Sequence, residues 1–352
     1  MTGTAALVVE YLPLERLLRQ SSSWWQGVLG VVGFSSPPPP DRIPVQVPVA
    51  ASMTPLIGGG APVCEVWRVE AAGAASGNGV RERGCVRYRQ CEQLLFGCVR
   101  ISEAALARDQ GNSPAQALRA ATELAYRDIF SVLDESGHAR LVRVWHYLPD
   151  INAESEGDER YRHFNAARHA AFARAGATEH GNIPAASALG SRSGSPVCIY
   201  FLAARHVPVM IENPRQVSAY RYPRQYGEHS PLFSRACILA APAGAHLFVS
   251  GTASIVGHET VHRGDATAQT RETMKNIAAL LEEANRRDRL QRFAVDALKF
   301  KVYVRHRLDQ PAIAGELARW LKPSTSVVYL EADVCRAGLL VEIEASGHST
   351  DA

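Results

Sequence analysis

Apolar and polar positions along this chain follow two periods, and the order in which the periods appear is used twice. Ser113-Pro114 opens QALRAATELAYRDIFSVLDESG, where Leu118, Ala121, Leu124, Ile129 and Leu133 recur near helical spacing and Gly137 supplies a stop. VRVWHYL (142–148) then reads as a strand, and beyond the turn at 149–152 and an acidic loop, ERYRHFNAARHAAFARAG predicts a second helix ending at Gly176. The pattern then returns. LFVSGTASIVG (247–257) repeats the strand role of LLFGCVRI (94–101), and NIAALLEEAN (276–285) that of DIFSVLDESG (128–137). KVYVRHRLD (301–309) stands for VRVWHYLPD, and PAIAGELARWL for YRHFNAARHAAF. These repeats predict an α+β fold of two modules in tandem, the first over 63–180 and the second over 181–352. Ahead of them, 1–62 reads as an irregular lead-in with a Ser-Ser-Ser-Trp-Trp cluster, the run Pro37 to Pro40 and the glycines 58–60. The prolines predict a stiff extended linker.

The last patterned segment, SVVYLEADVCRAGLLVEIEASG (326–347), reads as two strands, VVYLEADV and LLVEIEAS, joined by the turn Arg336-Ala337-Gly338. In the second strand Leu340, Glu342 and Glu344 share one face. A carboxylate between Val341 and Ile343 is cheap on a wet face and costly in a closed cleft, so Glu342 is either a solvated surface acid or a working one.

Composition narrows the chemistry. With 352 residues the chain is long enough for two ordinary cores, and a net charge of only +3 gives no electrostatic case for nucleic acid. The seven cysteines contain no CxxC pair and suit reduced thiols in a cytoplasmic protein. The longest apolar run near the start, Val28 to Phe34, is far below the roughly 18 residues a membrane helix needs, and the N-terminus has no basic lead of a secretory signal. His258-Glu259-Thr260-Val261-His262 matches HExxH, but it follows the β-rich SGTASIV, and Gly257 would turn it into a hairpin arm. On a strand, histidines four apart lie about 13 Å from each other, too far to chelate one zinc. P-loop, dinucleotide and GxSxG patterns are missing, so no metal or cofactor is expected. What remains is a pocket with one carboxylate, one cysteine and a set of Arg and Tyr: Arg168, Tyr220, Tyr222, Tyr226 and Arg235. Arg grips a carboxylate with two parallel hydrogen bonds and Tyr adds an uncharged donor, which together suit a small dianion.

At SPLFSRACIL (230–239), VSGTASIVG, DATAQTRETMKNIAALLEEAN and VVYLEADVCRAGLLVEIEA, the second half resembles the Rid (YjgF-like) superfamily, whose fold is that of bacterial chorismate mutase and whose closing strand reads IEIEA. Its deaminase members carry an arginine fifteen residues before that glutamate; this chain has Val327 there, which argues against imine deamination. From about residue 64 onward the chain more closely resembles the chorismatases, which split chorismate into pyruvate and a ring product. The tyrosine-rich stretch before SPLFSRA, the GTASIVGHE strand and the interval from Cys335 to Glu342 carry the likeness. The resemblance implies that Glu342 protonates the enolpyruvyl methylene and that Gly251 and Cys335 set the product, while Arg235, Tyr220, Arg168 and Tyr222 remain the candidates for substrate binding from the reading of the residues. Members with glycine and cysteine at those two positions make hydroxybenzoate, and members with alanine and glycine make a dihydroxycyclohexadienoate. Expected products are therefore pyruvate and 3-hydroxybenzoate, with 4-hydroxybenzoate as a second isomer. Cys335 would act either as a wall against water or as a proton handler. The competing expectations are a chorismatase that forms the dihydroxycyclohexadienoate and a non-catalytic Rid-like module that binds a small metabolite. Each is expected as a monomer or small homo-oligomer.

Overall fold

The structure is a computed structural model that describes residues 6–35, 47–51, 53–56, 61–70, 79–178, 183–241, 244–288 and 291–351. The Pro37 to Pro40 run and the glycines 58–60 lie outside the described residues. The helix Pro114–Ser136 begins where its sequence says it should. Ser113 Oγ accepts the Gln116 N–H, the Gln116 side chain accepts the Ser113 N–H, and Gly137 at φ 70° ends the run in the left-handed region. With Arg160–Arg174 it covers one face of a six-stranded sheet, burying Leu118, Ala125, Ile129 and Leu133.

That sheet has the order Ala185–Ser191, Arg140–Pro149, Val197–Ala204, Leu94–Ile101, Val86–Gln90, Arg81–Arg83. A seven-stranded sheet has the order Val209–Ile211, Ala236–Ala241, Gly244–Ala253, Val341–His348, Leu298–Val304, Val327–Glu331, Thr54–Pro55. The helices Ala266–Arg287 and Gln310–Leu317 accompany it, and the longer one joins its core under Val341, Ile343 and Ala345. Both sheets hold a central strand flanked by two antiparallel neighbours, and in both, one neighbour carries a parallel partner on its other side.

Three expectations change. The strands Ala185–Ser191 and Val197–Ala204 complete the first sheet, so it does not close at 180. The parallel strand must come after its crossover helix Arg160–Arg174, which itself runs almost to 180. The lead-in is not irregular either: Ala6–Pro13, Val63–Glu70, Val28–Phe34 and Val47–Ala51 form a four-stranded sheet in that order. Val28–Phe34 is buried along its whole length, so it lacks the alternation that marks a half-buried strand. Finally, the strands expected over 327–334 and 339–346 run over Val327–Glu331 and Val341–His348, and Leu298–Val304 lies between them in the sheet.

The two larger sheets turn their helix-free faces toward each other and share a core that includes Phe96, Trp145, Tyr200, Phe248 and Tyr303, with Phe34 and Trp67 of the N-terminal sheet packed into it. Tyr147 spans the sheets, its hydroxyl 3.0 Å from those of both Tyr200 and Tyr303.

Candidate active site

Between the sheets, the face of Val341–His348 that turns inward carries two acids, and their surroundings treat them oppositely. Glu344 sits in a buried ion cluster. Its carboxylate accepts from Lys301 Nζ at 2.7 Å, Arg143 Nη2 at 2.8 Å, Trp145 Nε1 at 2.8 Å and Ser187 Oγ at 2.9 Å. Lys301 also pairs with Glu65 and donates to Tyr200 Oη. Burial pushes the Glu344 carboxyl up, but Lys301 and Arg143 outweigh it and hold the group below its ordinary range, ionised. Glu342, two residues back, is 4 % exposed, and its carboxyl has no hydrogen-bond partner among the described residues. Burial first, and then the charge on Glu344, push it up to about 8, against weaker pulls from Arg143, Arg235 and Arg305. One acid is thus a fixed anion and the other a carboxylic acid at neutral pH.

The backbone opposite Glu342 is shaped to admit it. Val249 pairs with Ala345 and Thr252 with Ile343, so Ser250 and Gly251 form a bulge facing the single residue Glu344. The bulge is pinned on three sides: Ser250 N–H donates to Arg235 O at 2.9 Å, Ser250 Oγ to Ser234 O at 2.6 Å, and Gly251 N–H to Ser187 Oγ at 2.9 Å. A Cβ on Gly251 would overlap Glu342 Oε1 and stand 2.8 Å from its Cδ. Glycine here lets the backbone approach the acid closely, and a methyl group would make the end of the Glu342 side chain shift.

Cys335 enters from the segment that links Val327–Glu331 to Val341–His348. Arg305 clamps this segment, donating to Leu339 O at 2.7 Å, Val334 O at 2.9 Å and Arg336 O at 3.0 Å. The segment also meets the first sheet, with Gly190 N–H donating to Asp333 O at 2.7 Å. Burial, with Glu342 next, raises the Cys335 thiol to about 12, so it is a neutral S–H.

Glu342, Cys335 and Gly251 line a cavity of about 70 Å³ together with Tyr161, Tyr222, Tyr226, Phe233, Arg235 and Arg336. Arg235 is buried. Its Nη2 donates to Tyr222 Oη at 2.7 Å and to Val217 O at 2.8 Å, while its Nε has no partner. Arg336 stacks on Tyr226 at 4.0 Å from the ring centre and donates to His258 O at 2.8 Å. A broader groove of about 790 Å³ crosses the outer helices near Leu106, Leu124 and Phe130, but among its charges Arg174 is exposed, Glu123 is half-buried, and the two are already paired at 3.2 Å. It has the features of a surface trough, without converging buried polar groups.

Of the residues singled out from sequence, Glu342, Cys335, Gly251, Arg235, Tyr222 and Tyr226 come together on one cavity wall, and Arg168 reaches an adjoining one. Tyr220 lines neither and packs against the core of the six-stranded sheet. The HExxH stretch is a hairpin: Ile255-Val256 pairs with Glu259-Thr260 around Gly257 at φ 60°. It lacks the helical geometry that would bring the two histidines to one ion, and serves as the shelf that holds Arg336. Sequence reasoning missed Arg336 as a wall residue, and also Arg143, Lys301 and Glu65. A lysine inside the apolar strand KFKVYV was the one signal available, since a charge at an inward position must be paired.

A neutral buried carboxyl between a glycine bulge and a protonated thiol, ringed by tyrosines and arginines, has the groups needed to offer a proton to a small anion. Residues 65–203 match the family model described as Chorismatase FkbO/Hyg5-like, N-terminal. The chain is 38% identical over 296 residues to a 3-hydroxybenzoate synthase of Streptomyces hygroscopicus, covering 80% of this chain and 81% of that one. It is 36% identical over 290 residues to a chorismatase of Streptomyces rapamycinicus, with 80% of each covered. A crystal structure of a chorismatase superposes with a TM-score of 0.84 at 29% identity, over 99% of both chains. The chain belongs to the chorismatase family.

Proposed function

We propose that this enzyme converts chorismate to pyruvate and 3-hydroxybenzoate, with Glu342 as the general acid. The observation that carries the reading is the Glu342 carboxyl, buried in the cavity wall and held up to about 8, so that it is protonated at neutral pH. An enol ether resists base, but protonation of its methylene carbon makes an oxocarbenium ion. Glu342 supplies that proton, which becomes a methyl hydrogen of pyruvate. The ring 4-hydroxyl oxygen then displaces the C3–O bond, forming an arene oxide and returning its own proton to the Glu342 carboxylate. Opening of the oxide at C4 and loss of a ring proton give 3-hydroxybenzoate. Direct elimination with aromatisation gives the 4-isomer as a minor product.

Arg235 and Tyr222 supply donors to a substrate carboxylate from one side of the cavity, and Arg168 from the other. Tyr220 acts from behind the wall, by position. Cys335 is a protonated, half-buried thiol and fits a wall that denies water access to the ring better than a base. The same strand order in both large sheets supports two Rid/YjgF-like modules in tandem, one over about 81–204 and one over about 209–348, with the site at their joint. A cytoplasmic monomer or small homo-oligomer accords with this reading; no helix among the described residues is long and apolar enough to cross a membrane.

Incubation of purified protein with chorismate, followed by chromatography of ring products and a pyruvate assay, tests the proposal. Equal amounts of pyruvate and hydroxybenzoate, mainly the 3-isomer, are expected. Cys335→Ala should divert part of the product to the dihydrodiol. Unchanged chorismate would leave only the metabolite-binding reading.

A further inference from the structure

Arg305 commits its whole guanidinium around the segment that carries Cys335. It stands just past the strand Leu298–Val304, and its side chain is 9 % exposed. Nε donates to Leu339 O at 2.7 Å, and Nη2 donates to Val334 O at 2.9 Å and Arg336 O at 3.0 Å. Nη1 donates to Asp333 Oδ1 at 2.5 Å and to Asn152 Oδ1 at 3.1 Å. A guanidinium has five N–H groups, and here each has its acceptor, so Arg305 has none to offer a substrate. It lines neither cavity beside Glu342. Its work is to place other groups.

What it places is specific. The carbonyls of Val334 and Arg336 flank Cys335, so the chain on each side of the thiol is fixed to one rigid plane. Arg336 and Leu339, whose carbonyls it also holds, line the same cavity as Cys335. The segment has a second support in the six-stranded sheet. Leu189 bridges Val334, Gly190 N–H donates to Asp333 O at 2.7 Å, and a Cβ on Gly190 would come within 2.5 Å of Asp333 Cβ. Asn152, in the turn after Arg140–Pro149, joins the two supports: it accepts from Arg305 and donates from Nδ2 to Glu159 Oε1 at 2.8 Å, and Glu159 lines the cavity.

We propose that Arg305 is a positioning residue for product choice: its hydrogen bonds hold Cys335 as a closed wall, and the partition between hydroxybenzoate and the dihydrodiol depends on them. The assignment rests on the chorismatase reading above. Chorismate has the same atoms as pyruvate plus hydroxybenzoate, so that path consumes no water. The dihydrodiol path consumes one. Water adds to the oxocarbenium carbon and gives a proton to the Glu342 carboxylate. The hemiketal then passes its hydroxyl proton to the ring oxygen as the C–O bond between that carbon and the ring oxygen breaks, releasing pyruvate and leaving both oxygens on the ring. A wall that shifts away from the reacting carbon therefore changes the ring product, while each turnover still yields one pyruvate.

Ring products and pyruvate are measured on wild type, Arg305→Lys and Asn152→Ala, with melting temperatures alongside. Lysine keeps the positive charge but offers three N–H groups from one point, so it cannot span the five acceptors. Arg305→Lys should raise the ratio of dihydrodiol to hydroxybenzoate about tenfold, the weight of a lost hydrogen bond on the segment. Asn152→Ala removes one of the five bonds and should move the ratio the same way, about threefold. An Arg305 that only props the fold would lower the melting temperature or the pyruvate rate and leave the ratio at its wild-type value, and that result overturns the proposal. Asn152→Ala decides, by a shifted or an unchanged ratio, if Arg305→Lys fails to fold or to turn over. Wild type that makes mainly dihydrodiol overturns the closed wall and the proposal with it. If wild type leaves chorismate intact, the chorismatase reading falls by itself, and alkylation of Cys335 by iodoacetamide, followed by mass spectrometry with buried Cys198 as the reference, tests the clamp. Faster labelling in Arg305→Lys than in wild type upholds it, and an equal rate sinks it.

Discussion

The strands Val197–Ala204 and Val341–His348 hold the same central place in their sheets, and each buries alternate residues under its own helices: Val197, Ile199 and Phe201 in one, Val341, Ile343 and Ala345 in the other. Their inward faces differ. The first presents Cys198, Tyr200 and Leu202 to the shared core, and the second presents Glu342 and Glu344. An apolar inward face needs no partners, so it can be specified by volume alone. An acidic one must be answered residue by residue, and here Lys301, Arg143, Trp145 and Ser187 answer Glu344 while Glu342 is answered by staying protonated. The polar answer to one acid also enables the other, because the anion at Glu344 helps keep the proton on Glu342.

Exchanging the working groups of the two strands gives the sharpest contrast. Glu342→Gln should lower chorismate turnover by about 10² to 10⁴-fold, the usual worth of general acid catalysis, with the melting temperature largely kept. Cys198→Ala, on the equivalent inward face, should leave turnover unchanged and cost about 1 kcal/mol of stability. A Glu342→Gln enzyme with near-wild-type rate would remove Glu342 as the acid.

Breaking the ion cluster should show in stability. Lys301→Met leaves the carboxylates of Glu65 and Glu344 facing each other without a cation and should cost about 3–5 kcal/mol, read by denaturant unfolding. Adding Glu65→Gln should recover part of that loss, and a Lys301→Met protein of wild-type stability would show the cluster to be energetically idle.

Gly251→Ala tests the fit between bulge and acid. The added methyl cannot coexist with the present Glu342 position, so the rate should fall on the order of tenfold to a hundredfold with little change in melting temperature.

The smallest effect is the pH dependence. Turnover that needs protonated Glu342 should fall about tenfold per unit as pH rises above about 8. The stability change has the same sign. Because the folded carboxyl binds its proton more tightly than the unfolded one, its contribution is full below about pH 4.5 and is lost as pH rises toward about 8. Melting temperatures of wild type should therefore decline more across that window than those of Glu342→Gln.

Much of this was legible in the chain. The capped helix at Ser113-Pro114 and the hairpin within the HExxH stretch follow from local chemistry: a capping box and a turn glycine. Such signals lie within a few residues of each other, so the sequence by itself determined them. Tertiary structure decided the rest. That Lys301 meets Glu65 and Glu344, that Ser187 holds the Gly251 bulge, and that Arg336 rests on the 255–260 hairpin are pairings across 43 to 236 residues of chain. The four-stranded N-terminal sheet belongs with them, since a strand buried on both faces shows no alternation. The protonation states have the same origin. Glu342 and Glu344 are identical residues at adjacent inward positions of one strand, and only the burial and charges brought to each by distant segments make one an acid and the other its anion.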